Sequence, residues 1–379
     1  MPTRTALTDA CPGIARPFHA TDGSIVRMRT GGRPVRVAAL AELLTCVAGQ
    51  ADAHIQLTSR GALQLRGLPD PLPTDLRERL AAVGLLPSPT HELVRNIVTS
   101  PLTGLSGGLV DLRGLVSDLD AALCADPDLA RLPGRFLFAL DDGRRDVIGE
   151  RFDIAVLALS DADALVFAGT AGHGVRVRLD DAVDAALTLA RGFLSARDAG
   201  GGTAWHIDEL PEPLAPALGA ELAGGLSDAL GTGVAPGSPR PVGAVGTHAA
   251  VGVPLGLLTA PMLDALAAVT DRVLVTPWRS LVIEDAASDL PALAAGGLVT
   301  DPASPWLRLH ACTGSPGCAR SEIDTRGLAR ALAPRLASGG RQVHVSGCVR
   351  RCGTPASGHV DLVAPASVDE ALAAIAAAR

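Results

Sequence analysis

The chain has 379 residues, a formal net charge of -7 and an aromatic content of 2%. An acidic chain with so few aromatic side chains binds nucleic acids poorly, so we expect no nucleic-acid partner. No apolar run approaches the roughly 20 residues that cross a bilayer, and residues 1–20 lack the apolar core of a secretory signal. We therefore expect a cytoplasmic protein with no membrane partner.

Residues 1–85 predict a unit with the order strand, helix, strand, strand. The strands are expected at residues 24–29, 54–58 and 63–68, with one helix over 37–48 and a closing helix over 73–83. This order is typical of half of a ferredoxin-like sandwich. We therefore assign residues 1–85 to a first ferredoxin-like half-domain.

Residues 86–240 predict a mixed α/β module followed by a linker. The Asp141-Asp142-Gly143 run follows the strand expected at 132–140 and indicates a β-hairpin. Residues 211–241 are rich in Pro, Gly and Ala and predict a linker with one helical stretch. The other expected elements are strands within 91–104 and at 132–140, 154–159 and 164–168, and helices over 111–125 and 183–196.

Residues 241–300 repeat the pattern of the first unit, after a strand expected at 251–256. The segment 273–283 aligns with 55–65, because both read as strand, threonine, a short turn containing arginine, and strand. A helix expected over 260–269 precedes it, as a helix precedes the first copy. Such a duplication predicts a second ferredoxin-like half-domain, a pseudo-twofold axis and a site between the copies. Residues 301–379 form the last module, which ends in a helix at 368–378.

Four cysteines of the last module carry the strongest chemical pattern. Cys312 and Cys318 are spaced C-x5-C, and Cys348 and Cys352 are spaced C-x3-C about thirty residues later. Four thiolates suit an iron–sulfur cluster or zinc, and the wide, glycine-rich first gap favours a [4Fe–4S] cluster. Zinc and a disulfide or free-thiol arrangement are the alternatives. The remaining cysteines, Cys11, Cys46 and Cys124, receive no role.

Arginines recur at the strand ends and turns of both copies. Guanidinium groups bind carboxylates in pairs of hydrogen bonds and stay charged at any working pH. The two-residue spacing of Arg27 and Arg29 puts both on one face of a strand. Their concentration in an acidic chain predicts a polyanionic ligand. The candidates are Arg27, Arg29, Arg60, Arg66, Arg95, Arg135 and Arg279.

Taken together, these motifs resemble the sulfite/nitrite reductase superfamily. The resemblance rests on D-G-S-I-V-R-M-R, L-T-S-R-G-A-L-Q-L-R-G, R-N-I-V-T-S-P-L-T-G, L-P-G-R-F and the cysteine set, and it covers nearly the whole chain. It implies an α+β fold with duplicated ferredoxin-like half-domains and two α/β reductase-type modules, the second carrying the cluster. In this superfamily siroheme, a polycarboxylate tetrapyrrole, lies beside a [4Fe–4S] cluster.

Within the superfamily the short chain and the T-P-W-R-S run resemble the branch that hydroxylates precorrin-3A in aerobic cobalamin biosynthesis. That likeness implies a monooxygenase that forms a γ-lactone on a tetrapyrrole substrate. It also implies O2 and an external electron donor, either ferredoxin or an NAD(P)H-linked reductase. A siroheme-dependent nitrite or sulfite reductase and a non-catalytic tetrapyrrole-binding or electron-transfer protein are the alternatives.

The resemblance also assigns roles to residues. It implies that Cys312, Cys318, Cys348 and Cys352 ligate the cluster, and that Arg95 and Arg135 are catalytic. The reductases carry two lysines in L-P-R-K-F-K, whereas this chain reads L-P-G-R-F-L and contains no lysine. Losing these proton donors favours oxygenation over six-electron reduction. The tetrapyrrole-binding set is Arg27, Arg29, Arg60, Arg66, Arg95 and Arg279.

Siroheme and a non-haem iron both stay open as additional cofactors. A non-haem iron would need histidine and carboxylate ligands, and two adjacent pairs offer them. They are His206 with Asp208, and His91 with Glu92. Neither pair has a spacing that singles it out, so we expect structural roles for these histidines.

Overall fold

The computed structural model describes residues 9, 11–50, 53–169, 174–212, 214, 226–227, 241–355 and 358–378. The helical stretch expected within 211–241 lies almost wholly outside the described residues. The strands are β1 (Phe18–Ala20), β2 (Gly23–Arg29), β3 (Val35–Arg36), β4 (Ile55–Leu57), β5 (Ala62–Leu68), β6 (Ile97–Thr99), β7 (Phe138–Asp141), β8 (Ile154–Ala158), β9 (Asp163–Ala168), β10 (Gly174–Arg178), β11 (Leu226–Ser227), β12 (Gly243–Val245), β13 (His248–Gly252), β14 (Leu257–Leu258), β15 (Arg272–Val275), β16 (Ser280–Ile283), β17 (Leu309–Ala311), β18 (Gln342–Ser346) and β19 (His359–Val363). The α-helices are α1 (Val37–Thr45), α2 (Leu76–Ala82), α3 (Arg113–Ala125), α4 (Ala182–Ala199), α5 (Ala260–Val269), α6 (Leu290–Ala295), α7 (Thr325–Leu332) and α8 (Val368–Ala377).

Two five-stranded sheets share one strand order. The first runs β1-β2-β5-β4-β14 and the second runs β12-β13-β16-β15-β3. In each sheet four strands come from one copy, and the fifth comes from the other copy. Strand β3 pairs antiparallel with β15, and β14 pairs antiparallel with β4. The two copies therefore exchange edge strands, which protects one edge of each sheet.

A single hydrophobic core joins the two copies. Helices α1 and α5 pack together, and their buried leucines include Leu40 and Leu266, which are fully buried. The same cluster contains Leu63 from the first sheet and Leu281 from the second. Burying apolar faces of both sheets against a common helical layer removes this surface from water, which is the main stabilising contribution.

The turns that join the last two strands of each copy have matching backbones. Thr58 and Thr276 open these turns, and each threonine N–H bonds the carbonyl four residues later at 2.9 and 3.0 Å. Gly61 and Arg279 occupy the same left-handed place, with φ of 64° and 56°. A non-glycine residue rarely adopts this conformation, so the second copy keeps the turn at a cost in backbone strain.

A six-stranded sheet in the order β11-β10-β9-β8-β7-β6 forms the next module. Helices α3 and α4 contribute to the core on one face, where Phe136, Phe138 and Phe193 are buried. Strand β7 pairs parallel with both β6 and β8. Strand β9 pairs antiparallel with both β8 and β10. The expected strands at 91–104 and 132–140 shorten to Ile97–Thr99 and Phe138–Asp141.

The hairpin expected at Asp141-Asp142-Gly143 was wrong. Strands β7 and β8 are parallel, and a two-residue turn cannot join parallel strands. The carboxylate of Asp141 instead accepts hydrogen bonds from the backbone N–H groups of Gly143, Arg145, Val147 and Ile148, at 2.7 to 3.1 Å. The aspartate therefore organises a longer crossover loop, and that contact set was not visible in the local sequence.

The last module contains a parallel sheet in the order β17-β18-β19, for which no strands were predicted. Val343 and Val345 of β18 pack with α7 and α8 in a third core. Their alternation with polar residues indicates a sheet with one apolar face. Across the described residues, no helix combines the length and the apolar character that a membrane crossing requires.

Candidate functional site

The four cysteines gather at one edge of the β17-β18-β19 sheet. Cys312 directly follows β17, and Cys348 lies two residues after β18. These strands are parallel neighbours, so their carboxyl ends open at the same edge. Cys318 and Cys352 belong to the loops that continue from the same two strand ends. The topology thus brings together two pairs that lie thirty residues apart in sequence.

Glycines shape the cysteine loops at close range. The N–H of Gly347 points at the Sγ atom of Cys312 over 3.3 Å, and the N–H of Cys312 bonds Val345 at 2.9 Å. Gly314 has a φ of 71°, and a Cβ there would lie 2.7 Å from the backbone nitrogen of Thr325. Amide donors to sulfur are one of the means by which proteins adjust the potential of an iron–sulfur cluster.

The four thiols also act on one another electrostatically. All seven cysteines are free thiols in this structure. Cys352 is the most exposed of the four, yet partial burial raises its pKa, and Cys312, Cys348 and Cys318 raise it further. Like-charge repulsion of this kind means that the four sulfur atoms share one locality. Binding a cationic metal centre would relieve that repulsion.

The described residues do not form a ready site for a single metal ion. Among the described residues, no group of three or more His, Cys, Asp or Glu is arranged to hold one metal ion. In a cubane each thiolate binds a different iron, so the four sulfurs stand farther apart than around one zinc.

Arg66 connects the first five-stranded sheet to the cysteine loop. Its Nε atom lies 2.5 Å from the Oδ2 atom of Asp22, and its Nη2 atom donates to the carbonyl of Gly317 at 2.8 Å. Both side chains of the ion pair are only 18% exposed. Gly317 directly precedes Cys318, so the polar face of the sheet and the cysteine loop meet at this arginine.

Three further arginines form a cluster on the same side of the sheet. Arg27 donates to Gln64, its register partner on β5, at 2.8 and 3.2 Å. Burial lowers the pKa of Arg27, and the neighbouring Arg60 lowers it further. Burial likewise lowers the pKa of Arg29 to about 10, with Arg27 as the next cause. Packed cations that depress one another's pKa form a ready site for an anion.

The arginines differ in how much of their binding capacity is free. Arg29 is 3% exposed and donates to the carbonyls of Pro12, Arg27 and Gly134, and to Asn96. Its guanidinium therefore holds the six-stranded module against the sheet. Unlike Arg29, Arg27 keeps its contacts to a single side-chain amide and is better placed to meet a ligand.

Arg60 lies where the first copy meets the six-stranded module. Its Nη1 atom donates to the backbone carbonyl of Arg135, and burial lowers its pKa while Asp153 opposes that shift. Asp153 accepts hydrogen bonds from the N–H groups of Leu137 and Ile207, and burial raises its pKa to about 7. Arg60 and the backbone of Arg135 are thus in direct contact, as a shared site requires.

Arg95 lies in a buried ion pair. It is 3% exposed, and its Nε and Nη2 atoms bond both oxygens of Asp120 at 2.6 and 2.8 Å. Arg33 contacts the same carboxylate at 2.9 Å. Asp120 lies 25 residues from Arg95 on α3, so the sequence offered no signal for this pairing. Because its guanidinium is already bonded to Asp120, Arg95 is a poorer candidate for direct contact with a ligand.

Arg279 contacts the last module. Its Nη1 atom lies 2.9 Å from the Nδ1 atom of His310. In the parallel sheet His310 stands in register with His344, and His344 with Asp361, which pairs with Arg351 at 2.5 Å. Burial lowers the pKa of His344 to about 4, so it is neutral at neutral pH. Sequence reasoning missed this polar row, because it depends on strand register.

The histidines weighed as iron ligands have local partners. The Nδ1 atom of His206 accepts a hydrogen bond from the N–H of Asp208 at 3.1 Å. The Nε2 atom of His91 lies 2.9 Å from the carbonyl of Asp126. Both rings are buried, at 6% and 3% exposure. His91 is thus bonded as a structural histidine, whereas the Nε2 atom of His206 is buried without a hydrogen-bond partner among the described residues.

Comparison with known proteins gives two relatives in sequence. The ferredoxin–nitrite reductase of Synechococcus elongatus is 29% identical over 364 residues, covering 82% of this chain and 70% of the relative. The precorrin-3B synthase of a Sinorhizobium species is 26% identical over 384 residues, covering 93% of this chain and 80% of the relative. No protein-family model matches the chain.

The structural comparison agrees. The NirA protein of Mycobacterium tuberculosis has a similar fold, with a TM-score of 0.67 and 24% identity over 86% of this chain and 68% of NirA. The chain is a mixed α/β protein that resembles the sulfite/nitrite reductase superfamily, as its motifs predicted. Among its relatives in that superfamily is precorrin-3B synthase, and this particular resemblance is confirmed as well.

Proposed function

We propose that the protein is a monooxygenase of the precorrin-3B synthase type. It would hydroxylate precorrin-3A with γ-lactone formation in aerobic cobalamin biosynthesis. One oxygen atom of O2 enters the product, and the other leaves as water with two protons and two electrons from an external donor. The donor is ferredoxin or an NAD(P)H-linked reductase. Support comes from similarity to a precorrin-3B synthase along 93% of this chain.

The observation that carries the proposal is the contact between Arg66 and Gly317. It places the cationic face of the first sheet directly beside the loop that ends in Cys318. A polycarboxylate bound on that face would therefore lie next to the cysteines. Held in this way, substrate and electron source become neighbours within one complex, which replaces a slow bimolecular encounter.

The roles that we propose for the arginines and cysteines follow from their positions. Arg27 and Arg60 are half-buried cations, and we propose that they bind substrate carboxylates, with Arg66 and Arg279 at the sides. Arg29 and Arg95 support them from beneath. A [4Fe–4S] cluster held by the four cysteines would supply electrons one at a time. The catalytic roles proposed for Arg95 and Arg135 rest on the family motifs, and Arg135 contributes at least its carbonyl to the contact with Arg60.

The architecture is proposed to be that of the superfamily. The matching strand orders of the two five-stranded sheets support duplicated ferredoxin-like half-domains. We retain the division at residues 85, 240 and 300 as part of this proposal. The exchange of β3 and β14 means that residues 1–85 and 241–300 would fold as one pseudo-twofold unit.

The test is anaerobic purification followed by turnover. Iron, sulfide and pigment analysis should find a [4Fe–4S] cluster, and precorrin-3A with a reductant should consume O2 and give a product heavier by one oxygen. Labelled O2 should mark the product with one labelled atom. A protein that binds precorrin-3A without consuming O2 would be the non-catalytic carrier instead.

A siroheme-dependent nitrite or sulfite reductase is the second candidate. The 29% identity to a ferredoxin–nitrite reductase favours it, and the arginine cluster suits siroheme carboxylates equally well. The complete lack of lysine argues against it, because proton donors are required for six-electron reduction. A siroheme absorption band that survives gel filtration, together with nitrite or sulfite turnover, would establish the reductase. Whether siroheme or a non-haem iron also binds is answered by the same metal analysis.

A further inference from the structure

A cavity of about 640 Å³ lies between the second five-stranded sheet and the six-stranded module. Its walls come from the loop before β3, the β15 and β16 strands, and the segment from β6 to α3. None of the four cysteines, Arg60 or Arg66 lines it. Its volume falls within the range of small-molecule sites. The cavity therefore shares Arg29 with the arginine cluster described above, but not the cysteines, Arg27 or Arg60.

Two residues that line this cavity each carry a buried polar atom with no hydrogen-bond partner among the described residues. Thr99 lines the cavity and is 6% exposed, and its hydroxyl oxygen is buried and unpartnered. Arg33 also lines the cavity, and its Nε atom is buried and unpartnered although its guanidinium reaches Asp120. A buried polar atom without a partner costs free energy, so such atoms point to a missing ligand.

Cationic side chains outnumber anionic ones in the lining of the cavity, although Arg113 pairs with Asp111 and Arg272 with Asp271. Of the ionisable side chains around the cavity, five are arginines and two are carboxylates. Asp120, which would neutralise Arg33, is shared with Arg95. An excess of guanidinium groups at a concave surface favours anions, and carboxylates most of all. The charged lining residues are Arg29, Arg33, Arg36, Arg113, Arg272, Asp271 and Glu284.

The rest of the lining is apolar. Leu274 and Val282 extend from the second sheet, and Leu105 and Val116 come from the six-stranded module. A bound inorganic anion would leave this apolar part of the lining exposed to water. An apolar body would cover it, and each apolar area removed from water is favourable. The arginine-rich part and the apolar part of the lining together favour an amphipathic molecule.

We propose that this cavity is a binding site for an amphipathic carboxylate. The carboxylate is held by the Nε–H of Arg33 and the hydroxyl of Thr99, and the apolar body lies against Leu274 and Val282. The inference does not depend on the proposed function, because Arg29 is the one member of the arginine cluster in the lining, and its guanidinium is already bonded to Asn96 and to the carbonyls of Pro12 and Gly134. The site would remain if the enzyme proved to be a reductase.

The test uses octanoate as the probe in calorimetric titrations of the full-length protein, purified anaerobically. Octanoate should bind at one site, whereas 1-octanol, which lacks the carboxylate, and acetate, which lacks the apolar body, should bind far more weakly. Thr99→Val and Arg33→Gln should each weaken octanoate binding about five-fold or more, as the loss of one hydrogen bond to a charged group predicts.

Two controls make the outcome decisive. Arg191→Gln removes an exposed arginine that pairs with Asp126, and it should leave octanoate affinity unchanged. Arg27→Gln should also leave it unchanged, because Arg27 belongs to the other site. Thr99→Val should keep wild-type thermal stability or exceed it, since the hydroxyl it removes has no partner. Unaltered affinity in Thr99→Val or Arg33→Gln, equal binding of 1-octanol, or a loss in Arg27→Gln would each overturn the proposal.

Discussion

Arg66 and Gly317 are 251 residues apart in the chain and joined by a 2.8 Å hydrogen bond. The guanidinium that makes this bond is simultaneously paired with Asp22. A first-copy strand thereby positions the loop that carries Cys318. A substitution of Arg66 should therefore alter the surroundings of the cysteines as well as the polar face of the sheet.

Replacing Arg66 should change the cluster's reduction potential. Arg66→Gln removes a positive charge next to the Cys318 loop and leaves Asp22 unbalanced, so the reduced and more negative cluster is disfavoured. We expect the midpoint potential to fall by an amount on the order of tens of millivolts. Asp22→Asn is the matched variant and should shift the potential upward. Redox titration followed by electron paramagnetic resonance measures both, and shifts of the same sign would contradict this electrostatic account.

Removing one proposed cluster ligand should remove the cluster. Cys348→Ser replaces a thiolate by a hydroxyl, which is a poor ligand for iron in such clusters. We expect iron and sulfide to be lost together with all activity. Cys124→Ser is the control, since Cys124 lies on α3 outside the cysteine loops. Wild-type iron and sulfide content in Cys348→Ser would rule out Cys348 as a ligand.

Arg60 should matter for tetrapyrrole binding and leave the cluster intact. Truncation in Arg60→Ala removes a half-buried cation from the arginine cluster. The loss of one charge-assisted hydrogen bond should weaken precorrin-3A binding roughly ten-fold. Arg131→Ala, which removes an exposed arginine paired with Asp198, provides the comparison. Fluorescence or absorbance titration measures the affinity, and equal affinities in the two variants would exclude Arg60 from the site.

Asp146 should make the folded state less stable as pH rises. Burial raises its pKa to about 7 from an ordinary value of 3.8. Between about pH 4 and 7 the folded state therefore holds a proton that the unfolded state has lost. The free energy of unfolding falls across this range, by up to ~4 kcal/mol from this one group.

Asp146→Asn should flatten that dependence. The asparagine keeps a partner for the hydroxyl of Ser100, which now bonds Asp146 at 2.7 Å, and it cannot ionise. Urea unfolding of the wild type and the variant at pH 5 and pH 8 measures the difference. The variant should gain relative stability at pH 8 and little at pH 5. A gain of the same size at both pH values would exclude ionisation as the cause.

Prediction succeeded where local periodicity determines structure. The helix expected at 260–269 is observed at Ala260–Val269, and the bounds of the three strands expected in the first copy shift by no more than one residue. It failed where a short segment is completed by distant partners. The hairpin at Asp141 was wrong because its carboxylate binds four later backbone N–H groups, and the β17-β18-β19 sheet was missed because parallel strands pair across long connections.

At the candidate site, too, local patterns could be predicted from the sequence and distant contacts could not. Cysteine spacing predicted four ligands of a cluster, which stays a prediction, and the structure brings both cysteine pairs to one sheet edge. The arginine pattern treated all candidates alike, whereas the structure separates them. Arg27 and Arg60 lie together, Arg66 reaches the cysteine loop, and Arg95 is held by Asp120. Sequence spacing carries no information about which carboxylate occupies a guanidinium.

The sequence by itself determined the cysteine spacing, the repeated strand–turn–strand pattern and the resemblance to the sulfite/nitrite reductase superfamily, because spacings and repeated patterns are local properties of the chain. Only the tertiary structure decided the exchange of β3 and β14, the contact of Arg66 with Gly317, and the cavity around Thr99. Each of these joins segments separated by dozens to hundreds of residues. Their pairing depends on how whole sheets pack, and packing is decided by the burial of surfaces that no single segment contains.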